Sequence, residues 1–282
     1  MSKKKALGIC MIVLCAAGAL FSGGMLWKKH MDAEKSRMAF EELAGHVSTN
    51  EMMNELGLTE SREIDQEVKQ TGMILTEQEK ETLEWMRAHE IYGEFYEKNP
   101  DFVGWICIDG TNINYPVMQT PKAPTFYMRK NFEKEYSVSG TPFLDAASTV
   151  GKSKNYLIYG HNIKSGTMFH QLLKYEKETF YEKHKTFTYD QVVNGKEVKG
   201  TYRVVAVFRS RIYPKGSHAF KYYAHPSITE EETYNAYVHH CKALSSIDTG
   251  VTPKWGQQLV TLSTCAYHVE DGRFAVVGVK VD

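Results

Sequence analysis

At Asn99-Pro100 the hydrophobic period of this 282-residue chain changes from helical to strand-like, and the change divides what the two halves can become. From about Met31 to Pro100 charged residues are dense and apolar ones recur every three or four positions, which is a helical pattern. Beyond Pro100 come short runs of β-branched and aromatic residues separated by Gly, Pro, Asn and Asp, the pattern of a sandwich or barrel. Proline lacks a backbone N–H and holds the residue before it out of the helical region, so a helix must stop there.

Within the helical half, Thr76 and Glu79 form a capping-box pattern ahead of Leu83, Met86, Ile91, Phe95 and Tyr96, predicting a helix over 76–97. In the β half the predicted strands are 103–108, 112–117, 155–160, 186–193, 198–209, 258–264 and 273–281, with Asn194-Gly195 as a hairpin signal. Thr229 and Glu232 make a second capping box, and Tyr234, Tyr237, Val238, Cys241 and Leu244 line one face of the helix that follows, so Cys241 reads as core. A shorter helix is expected over Thr167 to Tyr175, after the Tyr159-Gly160-His161-Asn162 turn.

The first thirty residues differ in kind. Lys3 to Lys5 precede an uncharged run, Ala6 to Trp27, long enough to span a bilayer. A cleaved signal peptide is the competing reading, because Ala17-Gly18-Ala19 has the small-residue pattern of a cleavage site. Lys28 and Lys29 follow the run, so charge favours an inside N-terminus only slightly. The expected organisation is a cytoplasmic end at 1–5, an anchor at 6–27, a helical extension at 28–98 and a catalytic domain at 99–282. Lys plus Arg and Asp plus Glu both total 34, so no basic field points to nucleic acid.

Cys107, Cys241 and Cys265 lie outside the apolar run, an odd number that leaves at least one unpaired within the molecule. Cys265 ends the run Thr261-Leu262-Ser263-Thr264, where the backbone leaves a strand and a side chain can reach a cleft. A buried structural thiol is the common alternative. After a polar loop closed by Asp271-Gly272, Arg273 opens the next strand, so an antiparallel pairing sets Arg273 opposite Cys265. A guanidinium there favours thiolate and offers a fork of donors to an oxyanion, although a solvated strand-edge charge has the same spacing.

Of eleven histidines, His161 follows a strand and a glycine and precedes a helix start, a position suited to acid/base work near neutrality. His268 lies too close to Cys265 in sequence without a tight turn, and His239-His240 point different ways on a helix. No CxxC or HxxxH pattern completes a site, so no metal or other cofactor is expected.

The ordered set Tyr159-Gly160-His161-Asn162, Thr261-Leu262-Ser263-Thr264-Cys265 and Gly272-Arg273-Phe274 resembles the sortase family, whose TLxTC motif carries the nucleophile. The likeness spans roughly Asn99 to Asp282. Helices ahead of the barrel, a helix at 229–245 and the phrase Asn99-Pro100-Asp101-Phe102-Val103-Gly104-Trp105 make it similar to class B. The resemblance implies a mainly β closed barrel with a helical extension, an inserted helix before the cysteine strand and one membrane helix.

It also implies a membrane-tethered cysteine transpeptidase of Gram-positive bacteria with its catalytic domain outside the cell. Such an enzyme cleaves a C-terminal sorting motif of a secreted protein, NPxTN-like or a variant of it, after Thr and joins the protein to an amine of peptidoglycan or its lipid-linked precursor. Cys265 is then the nucleophile, His161 the acid/base group and Arg273 the oxyanion stabiliser, with Ser263, Thr264, Asn162 and Tyr267 expected to contact substrate. Some class B members carry an acid at the position of Tyr267, so no carboxylate role carries over there.

A hydrolytic cysteine peptidase uses the same pair, but papain-type chains place Cys first in a CGSCW-like motif, and L,D-transpeptidases need an SxGC arrangement absent at Ser263-Thr264-Cys265. A non-catalytic membrane-anchored binding domain with Cys265 in its core is the third reading.

Overall fold

The computed structural model describes residues 3–55, 59–88, 91–193 and 196–282. Among these residues four helices precede the β region: α1 (Lys3–Glu55), α2 (Glu60–Thr71), α3 (Glu77–Ala88) and α4 (Gly93–Lys98). The single helix expected over 76–97 is therefore two. Its start is as predicted, with Thr76 N–H donating to Glu79 Oε2 at 2.8 Å and Glu79 N–H to Thr76 Oγ1 at 3.3 Å. Its interruption has a tertiary cause. The Glu197 carboxylate accepts the backbone N–H groups of Ile91 and Tyr92 at 3.1 and 2.5 Å, so these amides open α4 against a strand side chain.

Nine strands follow among the described residues: β1 (Phe102–Cys107), β2 (Asn114–Met118), β3 (Phe143–Leu144), β4 (Asn155–Tyr159), β5 (Thr186–Val193), β6 (Lys196–Val198), β7 (Thr201–Arg211), β8 (Leu259–Cys265) and β9 (Gly272–Lys280). They hydrogen-bond in the order β1-β2-β3-β4-β8-β9-β7-β5-β6, and β1 also pairs with β5. That last pairing closes the barrel and leaves β6 outside the ring, on β5 alone. The strand expected at 198–209 is thus split into β6 and β7. The Asn194-Gly195 pair lies outside the described residues, while Val193 stands opposite Lys196 on either side of it.

The barrel interior is filled by Ile106, Tyr156, Ile158, Val204, Val260, Leu262 and Val276, among others. Phe40 of α1 joins this cluster, its ring edge-on to Tyr115 at 5.2 Å. A second cluster packs Ile91, Tyr92 and Phe95 against Phe102 and Trp105 of β1, which seats α4 on the barrel. The short helix expected at Thr167 to Tyr175 is a 3-10 segment, Phe169–Glu176, followed by α5 (Glu178–Tyr181).

Helix α6 (Glu231–Leu244) buries Tyr234, Tyr237, Val238 and Cys241 against Val205, Phe208 and Val277. It starts after Glu230 with no side-chain cap, so the Thr229–Glu232 box does not form, and Leu244 is 47% exposed at its end. Among the described residues no helix is long and apolar enough to cross a membrane. The side chains of 1–21, most of the apolar 6–27 run, lie outside the described residues.

Candidate active site

Strands β4 and β8 are neighbours and run parallel, with Tyr159 level with Ser263. Their C-terminal ends therefore meet at one rim of the barrel, where β4 leads into His161 and β8 ends on Cys265. β8 and β9 pair antiparallel with Cys265 directly opposite Arg273, as the strand-loop-strand pattern predicts. The return is tight: Ala266 N–H donates to Gly272 O at 2.9 Å, and a Cβ on Gly272 would lie 2.0 Å from Ala266 O. Only glycine fits there.

Cys265, His161 and Arg273 line one cavity of about 480 Å³. Its walls include Met128 from the β2–β3 connection, Asp145 and Tyr159, and Tyr222 and Tyr223 from the β7–α6 connection. Its floor includes Ser263 and Thr264.

The half-buried His161 ring donates from Nε2 to Met128 O at 2.8 Å. A carbonyl can only accept, so Nε2 holds the hydrogen and Nδ1 is the free acceptor of the neutral ring. Burial holds this imidazole below its usual value of 6.5, with the Arg129 charge adding to the effect and the Met128 carbonyl opposing it. The ring is therefore neutral at pH 7, a base rather than a cation. Gly160 just before it is required for space: a Cβ there would lie 2.6 Å from the Phe169 ring. The need is for space and not for backbone freedom, since Gly160 lies outside the left-handed region.

Arg273 directs Nη1 to the carbonyls of Asp271 and Gly272, at 3.3 and 2.9 Å, which leaves its other N–H groups for the cavity. Ser263 Oγ shares a hydrogen with Tyr222 OH at 2.7 Å, and Thr264 Oγ1 donates to Gly160 O at 2.7 Å. Both thus line the cavity and tie its walls together. Asn162 is buried and not among the lining residues. Its Nδ2 donates to the Cys265 carbonyl at 2.8 Å while its Oδ1 meets His170 Nδ1 at 2.7 Å, so it braces the backbone of the thiol-bearing residue. Tyr267 is 73% exposed, lies outside the lining and donates to Asn162 O at 3.3 Å.

Among the described side chains, the other two thiols are poor nucleophiles. Cys107, Cys241 and Cys265 are all free, but Cys241 is fully buried under α6 and burial raises its thiol well above the usual range. Burial, with Asp109 beside it, pushes Cys107 up to about 12. Sequence reasoning missed Asp145, Tyr159, Tyr222 and Tyr223 as lining residues. Asp145 follows a strand of two residues, too short for any period, and Tyr222 and Tyr223 lie in the connection between β7 and α6, where no strand or long-helix period marks them.

A barrel that holds a thiol, an imidazole and a guanidinium at one rim is built for acyl transfer through cysteine. A family model described as "Sortase domain" matches residues 106–281. Sortase B of Staphylococcus aureus is 31% identical over 182 residues, covering 64% of this chain and 70% of that one. Sortase B of Listeria monocytogenes is 32% identical over 183 residues, with the same coverage. A solved Staphylococcus aureus sortase B–substrate complex shares the fold at a TM-score of 0.67 and 24% identity, covering 89% of this chain and 99% of that one. The chain belongs to the sortase family of cysteine transpeptidases, and its relatives set it in class B.

Proposed function

We propose that the enzyme cleaves an NPxTN-like sorting motif after its Thr and transfers the acyl part to an amine of peptidoglycan or its lipid-linked precursor. The observation that carries this reading is the register: Cys265 faces Arg273 across β8–β9, in one cavity with His161. His161 Nδ1 takes the thiol proton as sulfur attacks the carbonyl carbon, and the developing oxyanion meets the Arg273 N–H groups. Collapse breaks the C–N bond, and the leaving amine takes the proton back from His161. The acceptor amine then attacks the thioester, passes a proton to His161, and the expelled thiolate recovers it.

The apolar run 6–27 anchors the chain, with the catalytic body outside the cell; its length supports this reading. Intact mass of the membrane-extracted protein distinguishes an anchor from a cleaved signal peptide. For the chemistry, full-length protein in detergent is incubated with NPxTx and xPxTG peptides, with and without added amine. Cleavage after Thr, an acyl adduct on Cys265 and an amine-joined product are expected, all lost in Cys265→Ala. Release of free acid alone, unchanged by any amine, would identify a hydrolase instead.

A further inference from the structure

Asp145 contributes the one carboxylate among the cavity's lining residues. Its Oδ2 accepts Tyr159 OH at 3.1 Å and its Oδ1 accepts the Ala147 N–H at 2.9 Å. A carboxylate offers about four acceptor sites, so roughly two remain open. Nothing in the chemistry of acyl transfer at Cys265 uses this group, since the thiol, base and oxyanion donors are already supplied.

Its place along the cavity suggests what it meets. Asp145 N–H donates to Leu157 O at 2.8 Å, and Leu157 is level with Thr261, four residues before Cys265 on β8. At about 3.3 Å per residue the backbone of Asp145 is ~13 Å from that of Cys265 along the strand, and its carboxylate leans back toward Tyr159, which is level with Ser263. In an extended peptide whose Thr carbonyl sits at Cys265, the motif's first residue is three steps away, ~10 Å, with a side chain to cover the rest.

We propose that Asp145 is a specificity-determining residue that selects, at the first position of the sorting motif, a side chain carrying N–H donors. An amide or an ammonium satisfies the open acceptor sites, and an acid there would face the carboxylate in a partly desolvated cleft. This rests on the sorting-motif reading above.

The test is kcat/KM for a peptide series that differs only at the first motif position (Asn, Gln, Lys, Ala, Asp, Glu), using the full-length enzyme with Asp145→Asn and Tyr159→Phe. A hydrogen bond to a charged group is worth about 1.5–3 kcal/mol, so the wild type should favour donors over acids by roughly 10- to 100-fold. Asp145→Asn, which both donates and accepts, should collapse that ratio toward one. Tyr159→Phe retains the carboxylate and frees another acceptor site, so the ratio should widen by several fold. If Asp145→Asn does not fold, the Tyr159→Phe result decides alone. A wild-type ranking indifferent to donors and acids, or a ratio unmoved in both variants, overturns the role of Asp145 while leaving the sorting-motif reading intact. Cleavage of no member by the wild type overturns both.

Discussion

His161 is tuned by what surrounds its ring. Because burial and Arg129 depress its pKa, folding favours the neutral form: the stability it contributes is complete above pH 6.5 and is lost as pH falls through the lower folded value. With Nδ1 as the base, kcat/KM should have an acidic limb with its midpoint below 6.5. Arg129→Gln should move that limb upward and Arg129→Lys, which keeps the charge, should not; a limb at the same pH in all three would assign the base elsewhere. Among the three body cysteines, brief iodoacetamide treatment of the folded protein should alkylate Cys265 alone, read by peptide mass, because Cys241 is sealed in the core and Cys107 is held protonated. That Cys265, His161 and Arg273 share one rim was legible in the sequence because each sits where a strand ends or begins, a local signal. Asp145 was not legible, since only the pairing of Phe143 with Tyr159 brings it to the cleft.

Elements were legible where their cause was local, and misread where a distant partner decided. The Thr76–Glu79 box formed as written, but Thr229–Glu232 did not, and the helix expected through 97 yields at Ile91 to a carboxylate from β6. Burial, with Asp190 nearby, pushes Glu197 up to about 7 despite the two amides it accepts. An acid raised in this way favours the fold fully below its usual 4.5, and that contribution is lost as pH climbs to about 7. The difference in melting temperature between wild type and Glu197→Gln should therefore fall across that window, by the equivalent of about 3 kcal/mol at most. A flat difference would mean that α4 is not held through this ionisation. At the active-site rim, Gly160→Ala should displace Phe169 and with it His161, whose carbonyl takes the Phe169 N–H at 2.8 Å. Overpacking of this kind costs about 1–3 kcal/mol, and kcat should fall further than stability alone explains.

At the scale of the molecule, the helical extension is part of the barrel's packing. Phe40→Ala should destabilise the whole fold by about 3–5 kcal/mol, measured by denaturant melts, because its ring belongs to the interior cluster. A change below ~1 kcal/mol would make α1 a mere attachment. The shift of period at Pro100 made the barrel class readable, but strand order was not, since a ladder between segments a hundred residues apart leaves no trace in either. The parallel neighbours β4 and β8 were the largest such omission, and they govern how the site can change over time. Five ladder pairs, Asn155 with Leu259 through Tyr159 with Ser263, set where thiol and imidazole emerge. The loops that rise from the rim to meet a peptide have no part in that spacing. A lineage can lengthen, shorten or exchange those loops, and so acquire new clients, while it inherits the reaction unaltered.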